Sequence, residues 1–225
     1  MDSVHIFFLM TATNRNNAPA ARTTYRHGDL RRALLDAGIE LARLGGPDAV
    51  VLREATRRAG VAPNAAYRHF ANRDDLLGAV RAAAVSEAAR AMEAEMALLP
   101  AKGTPVERAH AKVRAVGAGY LRFAHAETGL FRTAFGGRFT VQQQPDPAMG
   151  GATGLNPFQH LSAALDDLVA AGALPPERRP GAEYLAWSTV HGMALLSIDG
   201  PLRGTPAQML DALAQRLLDM VERGI

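Results

Sequence analysis

Between Ala59 and Leu77 the chain reads AGVAPNAAYRHFANRDDLL, which sets a tyrosine, an arginine and a histidine side by side at Tyr67, Arg68 and His69. Aromatic and basic groups at that density suit a catalytic cluster, a metal site or a surface that grips phosphate. The rest of the chain narrows the choice. It has no cysteine, which removes thiolate metal sites, disulfides and cysteine nucleophiles. No Gly-rich phosphate loop, HExxH pair or coherent serine triad occurs, so an enzyme on a helical scaffold would lack its machinery. His110, His125 and Glu127 are metal-ligand types, but the spacing of the two histidines has no helical metal-binding logic. We expect no metal, no cofactor and no enzymatic activity.

Charge points toward phosphate, with an alternative. The chain holds 23 arginines and only 2 lysines, Lys102 and Lys112. Arginine's planar fork suits phosphate, and the same bias equally fits a GC-rich coding sequence. Net charge is only +3, so any nucleic-acid reading rests on local charge. Between Arg22 and Val80 ten arginines face seven acids, and Arg53, Arg57, Arg58, Arg68 and Arg73 crowd around the quoted stretch. The charges alone fit a solvated helical face just as well.

These residues need elements to position them, and the chain supplies helices. At 225 residues it fits one large domain or a small one joined to a larger, and 48% apolar content is ample for a core. HGDLRRALLDAGIELARLGG has its apolar residues at roughly helical spacing and stops at Gly45-Gly46. VLREATRRAG is a short helix ending at Gly60, and PNAAYRHF opens on a proline suited to a first turn. A long helix follows, with Asn72 as N-cap and Asp74-Asp75 in its first turn, up to the break at Pro100 to Pro105. Further helices are expected over 105–125, 127–135, 157–172, 180–198 and 205–223, with a long Gly/Pro/Gln-rich loop at 136–156. No alternating strand pattern competes, so the predicted fold class is all-α. The expected layout is a poorly ordered leader over 1–22 (or an artefact of an upstream start codon), a small module over 23–72 and a larger helical body over 73–225. The apolar run VHIFFLM is far too short to span a membrane and lacks a basic n-region, so the cytoplasm is the default location and no membrane partner is expected.

Within the small module, Leu52 to Ala59, a turn at Gly60-Val61-Ala62 and Pro63 to Phe70 form a helix-turn-helix. Gly60 accepts a left-handed backbone without penalty. Val61, Ala66 and Phe70 would pack inward, leaving Asn64, Ala65, Tyr67, Arg68 and His69 for a partner. Such a helix fits the major groove of double-stranded DNA.

The stretch from YRHGDLRR through YRHFANRDDLLGAV resembles the DNA-binding domain of the TetR-type transcriptional regulators, over about 55 residues. WSTVHGMALL resembles the signature of the Trp-His-Gly (WHG) subgroup of TetR C-terminal domains, and HAETGLFRTAFGG has a counterpart there. The resemblance implies phosphate contacts from Tyr67 and His69, with Arg73 close behind, and places Tyr25 and His27 near the DNA backbone. Arg53 joins this surface. Base reading would fall to Pro63, Asn64, Ala65 and Arg68. Two features depart from the pattern: Thr56 stands where alanine is usual, and NAA at 64–66 leaves base readout thin.

The resemblance further implies a homodimer formed through the last two long helices, and a small-molecule effector held in a cavity. Trp187 and His191 lie four apart and share a helix face; core packing and ligand contact both remain open for them. Met92, Met96, Phe123, Phe131, Phe135 and Met193 are the other effector-binding candidates, since thioethers and aromatic faces suit a largely apolar ligand. Leu210, Leu213, Leu217, Met220 and Val221 form an apolar stripe suited to self-association. The reading is a ligand-responsive repressor, a homodimer on a near-palindromic operator. Its rivals are an enzyme on a helical bundle and a non-DNA-binding helical dimer, and the intact YRHF with its arginines argues against the second.

Overall fold

The computed structural model describes residues 30–136 and 146–224, and all the regular structure among them is helical. The leader expected over 1–22, and with it Tyr25 and His27, lies outside the described residues. So do residues 137–145 of the expected Gly/Pro/Gln-rich loop. The helices are α1 (Leu30–Gly45), α2 (Leu52–Ala59), α3 (Pro63–Ala66), α4 (Arg73–Ala97), α5 (Pro105–Ala126), α6 (Thr128–Phe135), α7 (Pro157–Ala170), α8 (Ala182–Ile198) and α9 (Ala207–Gly224). Short 3₁₀ turns at Pro47–Ala49, Pro147–Met149 and Pro176–Arg178 join some of them.

Local chemistry fixes most of the boundaries. The Asn72 side chain accepts from the Asp75 amide at 2.9 Å, and Asp75 accepts in return from the Ala71 amide at 3.0 Å, so α4 begins where two orphan donors are satisfied. Thr104 with Glu107 and Asn156 with Gln159 form reciprocal capping boxes, each followed by a proline that tolerates the first helical turn. Gly60, at φ 69°, ends α2 in the left-handed conformation and turns the chain toward α3.

The structure shortens α3. Its helical hydrogen bonding ends at Ala66, and residues 67–69 form a tighter turn in which both His69 and Phe70 donate to the Ala66 carbonyl, at 2.9 and 3.0 Å. Ala66 and Phe70 still reach the core, because a tight turn keeps them on one side as a helix would.

One apolar cluster runs from Leu34, Val50, Ala55, Phe70 and Leu76 through the length of α4 and α5 to Leu218 and Val221. The α4–α5 crossing is close because Gly119 meets the Met92 backbone directly; a Cβ there would lie 2.5 Å from the Met92 Cα. The apolar stripe of α9 divides. Val221 enters this core, Leu210, Leu213 and Leu217 pack half-buried against it, and Met220 is left exposed. On the adjoining α8, Leu185, Leu195 and Leu196 are exposed as well.

Candidate functional site

The turn at Gly60 places α3 with one face against α1 and α2 and the other outward. Val61 is half-buried, Ala66 and Phe70 are buried, Ala65 is half-buried, and Asn64, Tyr67, Arg68 and His69 are exposed. Pro63 occupies the first position of α3. The larger residue at Thr56 is accommodated without loss: it is buried, and its hydroxyl donates to the Arg53 carbonyl at 2.7 Å.

The arginines of this face differ in what they offer. Arg57 and Arg58 both pair with Glu54, at 2.6 and 3.4 Å, and the Arg57 hydrogen bond holds the Glu54 carboxyl down at about 2. Arg53, Arg68 and His69 are exposed and have no carboxylate at ion-pair distance among the described residues. Arg53 and Arg68 remain available as positive charge, and all three as hydrogen-bonding groups. Arg73 stands at the start of α4 and has further partners there. Its Nε donates to the Val50 carbonyl at 2.9 Å and its Nη2 to the Pro47 carbonyl at 2.7 Å, so the guanidinium ties the start of α4 to the α1–α2 connection. Two of its donors are spent on backbone.

The second feature is a cavity of about 330 Å³. Val85 and Met92 of α4, Val113, Gly117 and Tyr120 of α5, Phe135 of α6, Phe158 and Leu161 of α7, Trp187 and Val190 of α8, and Leu218 of α9 line it. Of the expected effector residues it therefore brings together Met92, Phe135 and Trp187. Phe123, Phe131 and Met193 are buried in the core instead, and Met96 is half-buried against it. His191 stands one step behind the wall. Trp187 Nε1 donates to the Tyr120 hydroxyl at 3.2 Å, and that hydroxyl lies 2.7 Å from His191 Nδ1. Burial lowers the His191 pKa and so favours the neutral ring beside the Tyr120 hydroxyl. Burial also pushes the Tyr120 phenol up, well above its ordinary range. Reading by residue type missed Tyr120, Phe158 and Val190; the recoverable signal was Val113, Gly117 and Tyr120 recurring on one side of α5.

Two structures flank the cavity. Residues 146–156 lie along α4, fastened by Ser86 Oγ to the Gly150 carbonyl at 2.6 Å and by the Glu93 carboxylate. Glu93 accepts from the Ala152 amide at 2.8 Å and from the Thr153 amide and hydroxyl at 2.9 and 2.7 Å. On the other side, α6 carries Phe135 into the cavity while its beginning abuts α1. Glu127 pairs with Arg43 at 2.8 Å, and a Cβ on Gly129 would lie 2.3 Å from the Ala42 carbonyl oxygen. Arg81 of α4 donates to the carbonyls of Thr133 and Gly136 at 3.1 and 3.2 Å.

A model of the bacterial regulatory proteins of the tetR family matches residues 34–80, and a model of the tetracyclin repressor-like C-terminal domain matches residues 113–221. The chain belongs to the TetR family. The C-terminal match does not single out the Trp-His-Gly subgroup. Among solved structures, a protein of unknown function from Rhodococcus sp. RHA1 is 27% identical with a TM-score of 0.64, over 90% of this chain and 98% of that one. FadR from Bacillus subtilis in complex with stearoyl-CoA is 17% identical (TM-score 0.60), covering 86% of this chain and 98% of its own. A TetR variant from Acinetobacter baumannii AYE in complex with minocycline is 20% identical (TM-score 0.57), covering 85% and 93%. The last two likenesses show the fold alone. No curated protein matches at a significant level. As a TetR-family chain it is a transcription regulator with a helix-turn-helix, and no described helix is long and apolar enough to cross a membrane.

Proposed function

We propose that this TetR-family protein is a cytoplasmic repressor that binds a near-palindromic operator as a homodimer and releases it when a small, largely apolar effector fills the cavity. The module over 23–72 carries the DNA contacts, and the body over 73–225 carries the effector and the dimer surface. The observation that bears most weight is the outward row of Asn64, Tyr67, Arg68 and His69 on a short helix and the turn that continues it, set after a left-handed glycine.

In this reading Tyr67, His69 and Arg53 hold phosphates, together with Tyr25 and His27. Pro63, Asn64, Ala65 and Arg68 face base edges, where Asn64 and Arg68 have polar reach. Arg73 acts chiefly by positioning the helix pair, because two of its donors serve the Val50 and Pro47 carbonyls. Two recognition helices must meet successive major grooves about 34 Å apart, and an effector acts by favouring a conformation that spaces them differently. Phe135 in the cavity and Gly129 against α1 place the two ends of α6 at the effector and the DNA module.

A gel shift of the full-length protein on its own upstream region tests the reading. We expect a specific complex that survives competitor DNA and that Tyr67→Phe weakens. Binding no tighter than to random duplex would sink it.

A further inference from the structure

The cavity offers no free cation to a negative charge. Its lining is mostly apolar, and most of its polar atoms already have a partner inside the protein. The Trp187 indole donates to Tyr120, and the side-chain oxygens of Asn156 and Gln159 accept from each other's backbone amides. The guanidinium in the wall, Arg114, spends Nη1 on Asp219 at 2.5 Å and Glu222 at 3.4 Å, and Nη2 on the Gln215 side chain at 2.5 Å. Glu222 and Asp146 line the same cavity, and Asp146 has no cationic partner among the described residues. An anionic headgroup would lose its water and meet two carboxylates, while the guanidinium in the wall is already neutralised by Asp219 and Glu222.

The Arg114 cluster and the aromatic rings around Tyr120 are separated along α5. Arg114 and Tyr120 are six residues apart on α5, which is about 9 Å along the axis. Phe135 and Trp187 gather at the Tyr120 end, with ring centroids 5.2 Å between Tyr120 and Phe135 and 6.5 Å between Phe135 and Trp187. Glu222, sharing one guanidinium with Asp219, keeps acceptor capacity at the other end.

Resting on the effector-cavity reading, we propose that the ligand is an apolar molecule with an aromatic body, no anionic group, and a hydrogen-bond donor about 9 Å away that meets Glu222. The aromatic body takes offset or edge-on positions against Tyr120, Phe135 and Trp187. An acyl chain ending in phosphate or carboxylate is the wrong chemistry for this lining. A hydroxyl or an ammonium supplies the same donor, and the experiment separates them.

Trp187 is the chain's sole tryptophan and lines the cavity, so its emission reports occupancy directly. Full-length protein is titrated with 4-phenylbutan-1-ol, 4-phenylbutylamine and 4-phenylbutanoate, which share a body and differ in headgroup charge. We expect saturable change with the alcohol and the amine, and binding of the carboxylate weaker by about tenfold or more. Glu222→Gln should narrow the gap between amine and carboxylate and leave the alcohol nearly unchanged; Asp146→Asn should narrow it less. A carboxylate that binds as tightly as the amine, or a Glu222→Gln variant that keeps the full gap, overturns the proposal. So does failure of all three probes to saturate. Because the operator gel shift uses the same protein without ligand, that failure leaves the regulator reading to its own test.

Discussion

The carboxylate of Glu93 on α4 lies 3.2 Å from the imidazole Nε2 of His160 on α7, and the amides of Ala152 and Thr153 close on the same two oxygens. His160 is buried and Glu93 nearly so. This cluster secures the segment that carries Asp146, Met149 and Asn156 to the cavity, and it does so on the helix that leads to the DNA module.

Its acid sensitivity follows from the two groups. Burial pushes the Glu93 carboxyl up, but the Thr153 hydroxyl and amide, the Ala152 amide and His160 together hold it down at about 2. A depressed carboxyl contributes stability above its unfolded value, near 4.5, and loses it as pH falls toward about 2. His160 is lowered first by burial, against the pull of Glu93, so it folds neutral. Its contribution is complete above its ordinary value of 6.5 and erodes as pH falls below it. Thermal unfolding should show a flat midpoint near neutral pH and a decline that begins below 6.5. His160→Gln should shallow the upper part of that decline, and a slope identical to wild type would count against the assignment.

Glu93→Gln removes the charge from a carboxylate that accepts four hydrogen bonds, and should cost about 1–3 kcal/mol of stability. The loss should concentrate in the segment at 146–156, giving faster amide exchange there than in α2 and α3. Uniform exchange along the chain would refute a local latch.

Gly129 is the contact through which α6 meets α1. A Cβ at this position would lie 2.3 Å from one backbone oxygen and 2.4 Å from the next, and backbone inside a helix end has little room to yield. Gly129→Ala should therefore destabilise by about 1–3 kcal/mol and alter operator affinity although the residue lies outside the proposed DNA face. An unchanged melting midpoint together with unchanged operator affinity would show that α1 and α6 adjust freely.

Much of this was readable from the sequence because the signals are local. Gly45-Gly46, Gly60, Asn72 and the prolines at 105 and 157 act within a turn of where they stand, and the helices begin and end beside them. The outward and inward faces of the recognition helix were legible for the same reason, even though α3 proved shorter, since Ala66 and Phe70 keep their spacing in either kind of turn. Arg73 was not legible. Its partners lie 23 and 26 residues earlier, and only the folded packing of α4 beside the α1–α2 connection brings them within reach. The cavity failed in the same way. Val190 and Met193 are three residues apart on α8 and both buried, yet only Val190 lines the cavity, a difference that spacing along one helix does not decide. Selecting methionines and aromatics by type found three wall residues and passed over Tyr120.

Arg73→Ala is thus expected to act on the fold before it acts on DNA. Losing two hydrogen bonds to part-buried carbonyls should lower stability by about 1–3 kcal/mol, whereas Arg68→Ala on the exposed face should cost little. On the operator, Arg68→Ala should reduce the salt slope or relax preference at particular base pairs, at about 1–3 kcal/mol for each direct base contact. Should Arg73→Ala keep wild-type stability and instead flatten the salt dependence, the phosphate role first expected for it would be restored.

The last prediction concerns self-association. One recognition helix with thin base readout can do little better than non-specific binding; two held in fixed register supply the remainder. The surface for this is the exposed apolar face shared by α8 and α9, where Leu185 is 64% exposed and Met209 and Met220 are each 59% exposed, beside Leu195 and Leu196. Apolar side chains concentrated on one face of a soluble chain mark a contact made with another molecule, and a twofold pairing of this face with itself would bury them on both copies. The structure also selects the better variant. Leu217 is half-buried against its own core, so a glutamate there confounds folding with assembly, whereas Leu185 touches little within its own chain. Leu185→Glu should leave stability of the single chain within about 0.5 kcal/mol, shift sedimentation from dimer to monomer, and reduce operator affinity to the level of random duplex. If wild type sediments as a monomer at micromolar concentration and still binds its operator tightly, the α8–α9 face serves some other contact and the two-half-site account fails.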